Sequence, residues 1–169
     1  MWYALSGPTT PKLLSPAAFF ERYICYECPE GFVADKVFYT ISGVDLPVWL
    51  KAFLNSSVVA LFVEVEGYQL NHGGIFITTN WLENLPILAL PESETTFILE
   101  KAYHTLRKRE ISLYANEIHY DDRIILDTAI LKALGLPEEL REEIHATVAQ
   151  LMQNRIIKAR RNVTQKGRD

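Results

Sequence analysis

Cysteine is scarce in this chain of 169 residues, which has only Cys25 and Cys28. Two thiols exclude a disulfide-rich scaffold and fit a reducing compartment. Long apolar runs are also missing. None reaches the roughly 18 residues of a membrane span, and the run from Val58 to Val65 is broken by Glu64. The opening MWYALSGPTTPK lacks a charged stretch followed by an apolar one, so it reads as no secretory signal. The expectation is a cytoplasmic protein without membrane contact, in which the sequons Asn55-Ser56-Ser57 and Asn162-Val163-Thr164 are never glycosylated. Gly73-Gly74 stands alone, so no glycine motif cradles a phosphate. Repeats and low-complexity segments are absent as well.

What is present is an ordinary globular composition with an uneven charge. Up to Pro91, Lys12, Arg22, Lys36 and Lys51 stand against eight carboxylates, a net of −4, and from Glu92 onward thirteen charges of each sign cancel. The segment Arg155 to Arg168 holds six cations and no anion. Any nucleic-acid role must therefore work beside an acidic front half, because neutralising phosphates supplies most non-specific affinity.

Local patterning predicts an α+β fold: a strand-rich N-terminal portion with two short helices, then a C-terminal three-helix segment. KLLS (12–15), RYICYE (22–27) and FVADKVFYTIS (32–42) are rich in β-branched and aromatic residues, and Pro29-Glu30-Gly31 predicts a hairpin between the last two. Asp45 reads as an N-cap for a helix over 46–54, whose apolar stripe is Leu46, Leu50, Phe53 and Leu54. Asn55 ends that helix by taking a left-handed conformation, and Ser56 or Ser57 caps a second one from Val58. FVEVEG is open to helix or strand. GYQLNHGG (67–74) reads as a loop, IFITT (75–79) as a strand and NLPILALP (84–91) as an extended exit. Helices are predicted over about 94–109 behind Ser93, over about 122–134 starting at Asp121 and stopping at Gly135, and from Pro137 onward with the stripe Leu140, Ile144, Val148 and Leu151. The change of texture predicts two domains, 1–91 and 92–169.

The chemistry-bearing motifs are few. Cys25-Tyr26-Glu27-Cys28 resembles half a zinc ribbon, but a structural zinc needs four ligands and the second C-x-x-C is missing. On a regular strand residues three apart face opposite sides, which makes an ordinary strand and turn the preferred reading. Ser56 and Ser57 lack a nucleophile elbow and show no evident His and acid partners, so capping is preferred over catalysis. Asp121-Asp122 reads as an acidic helix start rather than a metal site. No Asn/Asp-Pro-Pro-aromatic motif, as amino-methyltransferases use to hold a flipped base, is found. The chain is therefore not expected to be an enzyme, nor to hold a cofactor or metal. Arg155, Lys158, Arg160 and Arg161 lie near a helix end, where a solvated terminus and phosphate contact are both open. Tyr68, Gln69, Asn71 and His72 offer side chains able to meet base edges, although a plain turn explains them equally.

Taken in order, several short stretches resemble the C-terminal TaqI-like specificity domain of adenine-specific DNA methyltransferases and fused restriction–modification enzymes. They are Pro11-Lys12-Leu13-Leu14, then Ala34 to Ile41 (ADKVFYTI), then LKAFLNSSVVALF (50–62), which matches an L-x-x-x-L-N-S pattern. Gly73-Gly74 before a strand, Asn84-Leu85-Pro86-Ile87, DRIILDTAILKALGL and the ending with Asn154-Arg155 and Lys158-Ala159-Arg160 follow. CYEC is not part of that pattern. The resemblance implies a bacterial-type DNA target-recognition module that binds double-stranded DNA and works with an N-terminal methyltransferase domain. Catalysis and S-adenosylmethionine binding would reside in that preceding domain, and a start at Met1-Trp2-Tyr3 is expected of an excised fragment. Lys12, Lys36, Arg155 and Lys158 are then expected phosphate contacts, and Tyr68, Gln69, Asn71 and His72 expected base readers. The alternative is a protein-interaction or oligomerisation module, such as a homodimer, without DNA binding of its own.

Overall fold

The computed structural model describes residues 11–30, 34–42, 46–87, 90 and 93–166. The fold starts from one extended run that serves two sheets. Strand β1 (Leu13–Pro16) lies between β3 (Tyr26–Glu27) and β4 (Phe38–Ile41), antiparallel to both, with Leu13 opposite Glu27 on one side and Ile41 on the other. Among the described residues the hairpin predicted between the second and third strand segments is therefore not formed. A central strand must satisfy backbone groups along both edges, and β1 takes both partners. Gly31 of the proposed turn lies outside the described residues. At Ala17 the run changes sheets: its N–H donates to Val37 O (2.9 Å) and its carbonyl accepts from Ile77 N (2.9 Å). Strand β2 (Ala18–Phe19) then joins the second sheet, in the order β2, β6 (Ile75–Phe76), β5 (Tyr68–Gln69).

Helices α1 (Val48–Leu54) and α2 (Ser57–Glu66) meet at a 46° bend. Asn55 ends α1, but at φ −103° rather than in the left-handed region. Its amide is used elsewhere: Oδ1 accepts from Cys25 N, and Nδ2 donates to Cys25 O and Lys51 O, each at 3.0 Å. Ser56 caps α2 by accepting from Val59 N (3.3 Å). FVEVE is helical to its end. The residue before α1 is Pro47, and the cap expected from Asp45 lies outside the described residues. Among the described residues no single helix is long and apolar enough to cross a membrane, and the apolar faces of α1 and α2 are core, with Ala52, Phe53, Leu54, Val59 and Val63 buried.

The predicted strand over 75–79 is shorter than expected, because Thr78 turns the chain into α3 (Thr79–Glu83) by capping Trp81 N (3.1 Å). Beyond Ser93, α4 (Glu94–Leu106), α6 (Asp121–Ala133) and α7 (Leu140–Lys166) stand as the three predicted helices, with the single-turn α5 (Tyr114–Glu117) between the first two. Ser93 and Thr96 form a reciprocal capping box, and Gly135 closes α6 at φ +68°, where only glycine is unstrained. Asp121 and Asp122 are not the cap of α6. Tyr120 holds that position, and Asp122 turns inward to Arg109. One core joins the two textures of sequence: Leu99, Ala102, Leu126 and Ile130 pack in the same buried cluster as Leu13, Phe53, Val63 and Ile75.

Candidate nucleic-acid interface

The candidate interface is built on a buried arginine. Val148, Met152, Arg155 and Ala159 recur every three or four residues along α7, so they share one face, and all four are buried. Arg155 meets Glu64, which α2 turns inward beside Val63. The pair is bidentate: Nε to Oε2 at 3.1 Å and Nη2 to Oε1 at 2.7 Å. The remaining donors go to backbone carbonyls, Phe20 O (2.6 Å), Glu21 O (3.1 Å) and Gly73 O. All five N–H groups of the guanidinium are thus used. Arg155 was expected to contact phosphate; it is 3% exposed and is instead the clamp that fixes β2's exit and the 70–74 turn onto α7.

That turn presents the predicted base readers. Gly73 N donates to Leu70 O (2.9 Å) and Leu70 N to Gly74 O (2.8 Å), so Asn71 and His72 occupy the two corners of a β-turn between β5 and β6. Gly73 has φ +88°, and a Cβ there would stand 2.9 Å from Ala159 Cβ, so this backbone approaches α7 as closely as glycine alone allows. Tyr68, Gln69, Asn71 and His72 are all exposed, and the amides of Gln69 and Asn71 hydrogen-bond to no described residue. Below the turn runs a cleft of about 530 Å³, with His72 and Gly73 on one side and Ile156 and Arg160 of α7 on the other. Lys158 is exposed on the same helix.

Lys12 and Lys36 are not brought to this cleft. Lys12 lines another, of about 500 Å³, with Cys28, Lys51 and Arg107, where Glu27 pairs with both Lys51 and Arg107 at 2.8 Å. Lys36 stands exposed in the 35–38 turn that leads into β4. Cys25 is buried, and burial pushes its thiol up to about 12, so at neutral pH it is a protonated, nearly apolar side chain. Among the described residues no three His, Cys, Asp or Glu side chains are placed to hold a metal.

The serine break acquires acid and histidine partners that its sequence did not reveal. Ser57 donates from N and Oγ to Asp127 (2.8 and 2.6 Å), and His145 Nε2 reaches the same carboxylate at 2.8 Å. The order is wrong for nucleophilic catalysis, in which histidine stands between serine and acid. Here the carboxylate is central and takes the hydroxyl proton's hydrogen bond itself, in a site with Ser57, Asp127 and His145 all buried. Burial alone would raise the Asp127 carboxyl, but the Arg123 charge and the bonds from His145 and Ser57 outweigh it and hold it below its ordinary range. Tyr114 OH also donates to Ser57 Oγ (3.0 Å). Ser57→Ala is therefore expected to cost about 1–2 kcal/mol, read as a lower urea midpoint with unchanged slope. A loss several-fold larger would mean that the hydroxyl holds more of the fold than these bonds explain.

No family model, curated protein or solved structure matches this chain.

Proposed function

We propose that this chain is a DNA target-recognition module of an adenine-specific DNA methyltransferase or a fused restriction–modification enzyme, without catalysis of its own. S-adenosylmethionine and the transferred methyl group belong, on this reading, to a preceding domain. The observation that supports it most is the 68–72 segment: polar side chains with unused donors and acceptors, exposed on β5 and on the turn whose base Arg155 locks. Sequence is read by hydrogen bonds to base edges, and Asn and Gln suit adenine. A rigid turn gives up little entropy when those bonds form. Lys158, Arg160 and Arg161 at the end of α7 supply positive charge on the helix that clamps the turn. Lys12 and Lys36 are a separate, second line of phosphate contact in this proposal, and Arg155 has none.

Selection from a pool of randomised duplexes at low salt tests it. The full chain is expected to enrich one sequence class, and the triple variant Gln69→Ala, Asn71→Ala, His72→Ala to lose that enrichment while keeping its helical circular dichroism. Loss of one good pairing to a base edge weakens discrimination by about 1–3 kcal/mol. Identical enrichment by both proteins would remove the base-reading role from the turn.

A second reading rests on another cleft, of about 570 Å³, between α7 and the 113–115 segment, walled by Leu113, Ala149, Met152, Ile156 and Ile157. Its apolar walls suit a protein partner. A dimer by light scattering that is indifferent to salt, with no DNA binding, would favour that reading.

A further inference from the structure

We infer that the cleft beside the 70–74 turn takes a single unpaired nucleobase, stacked against Phe20. This rests on the DNA-recognition proposal and adds to it a ligand, an unpaired base, and a residue that sequence reading did not single out. Phe20 is 58% exposed, yet its surroundings hold it. His72 meets its ring nearly edge to face, with centroids 5.1 Å apart and planes at 71°. Gly74 lies close to the ring, where a Cβ would be 3.6 Å from Phe20 Cε1. The Phe20 carbonyl accepts from Arg155 Nη1 at 2.6 Å. A large apolar ring left in water but fixed in orientation is a poor core residue and a good stacking platform, because it loses little rotamer freedom when a flat ligand covers it.

The rest of the cleft fits a heteroaromatic ring. Its floor is apolar, from Ile156 and Ala159. Its rim is polar, with Glu21 able to accept from the amino group of adenine or cytosine, and His72 and Arg160 at other edges. A volume of about 530 Å³ lies within the usual range for small-ligand sites. The base must be unpaired, since in a continuous duplex both faces of each base are already covered by its neighbours. Sequence-tolerant stacking on aromatic rings is how proteins hold unstacked bases. Among the described residues Glu21 is the one carboxylate lining the cleft and Arg160 of α7 the one cation, so phosphate flanking the base would sit toward Arg160 rather than over Glu21.

The test uses the full chain and a labelled duplex of about 20 base pairs, fully paired or carrying one unpaired 2-aminopurine, at low salt. The unpaired form is expected to bind about five- to hundred-fold more tightly, with quenched 2-aminopurine fluorescence. Phe20→Ala should abolish both the advantage and the quenching, and Phe20→Trp should retain them. Phe20 is surface-exposed, so both variants are expected to fold, which circular dichroism checks. Equal affinity of Phe20→Ala and the unaltered chain for the unpaired duplex overturns the stacking site while leaving the base-reading turn intact. No binding of either duplex overturns the proposed function and this site with it. A salt-independent dimer that Phe20→Ala dissociates would assign the cleft to a second copy and likewise overturn the inference.

Discussion

Arg155→Met is expected to destabilise the chain by about 3–5 kcal/mol, the usual consequence of removing one partner of a buried ion pair. Methionine keeps most of the apolar stem and none of the donors. Glu64 would be left charged inside the α2–α7 contact, and the carbonyls of Phe20, Glu21 and Gly73 would each lose a donor. Unsatisfied buried groups are costly one by one, and here they lie on three separate pieces of chain. The double variant Glu64→Leu, Arg155→Met should recover part of the loss, because it removes the stranded charge as well. Equilibrium urea unfolding of the unaltered chain, Arg155→Met, Glu64→Leu and the double variant gives the coupling. A single-variant loss below about 1 kcal/mol would mean that solvent reaches this pair and that the clamp is not buried.

The second large effect lies at Glu117, the centre of an arginine cluster. Its carboxylate receives Arg109 twice (2.9 and 2.6 Å), with Arg123 at 3.3 Å and Arg22 at 3.4 Å, and Arg109 also pairs with Asp122 at 2.7 Å. Burial alone would raise the Glu117 carboxyl, but the Arg109 hydrogen bonds and the three positive charges outweigh it and bring the group to about 2 from an ordinary 4.5. A carboxyl lowered in the folded state stabilises fully above its unfolded value and loses that contribution as the pH falls through the folded one. Between about pH 4.5 and pH 2 the chain should therefore lose roughly 3 kcal/mol through this group, with Asp127, also lowered, adding to the same acid limb. Glu117→Gln should cost about 3–5 kcal/mol at neutral pH and flatten the acid limb, leaving the part owed to Asp127. Stability measured from pH 7 down to pH 2 checks both. An acid limb of undiminished slope in the variant would place its origin elsewhere.

These two clusters also mark where sequence reading stops. The α+β class and the helices α1, α2, α4, α6 and α7 were legible because their signals are local: apolar spacing, Ser56 and Ser93 as caps, Gly135 as a stop. Strand pairing was not, because whether β3 meets β4 or β1 is settled by the competition of distant edges for one central strand. The single-turn helices α3 and α5 are too short to leave a period. Arg155 opens a run of cations, which points to solvent or phosphate, yet it continues the stripe of Val148 and Met152, and that spacing was the available clue. Its partner Glu64 lies 91 residues away, and Asp127 lies 70 from Ser57, separations at which nothing local announces a pair. For the candidate interface, the sequence named the exposed turn residues; Phe20 and the clamp beneath them needed three-dimensional placement.

The central claim is that DNA meets this chain at the clamped turn. A titration of the isotope-labelled full chain with duplex DNA at low salt, followed by amide chemical shifts, tests it most directly. The predicted shifts concentrate at Phe20, at Tyr68 to Gly74 and at Ile156 to Arg161, and fade as salt is raised. Shifts confined to the cleft of Lys12, Cys28, Lys51 and Arg107, or none at saturating DNA, would contradict it.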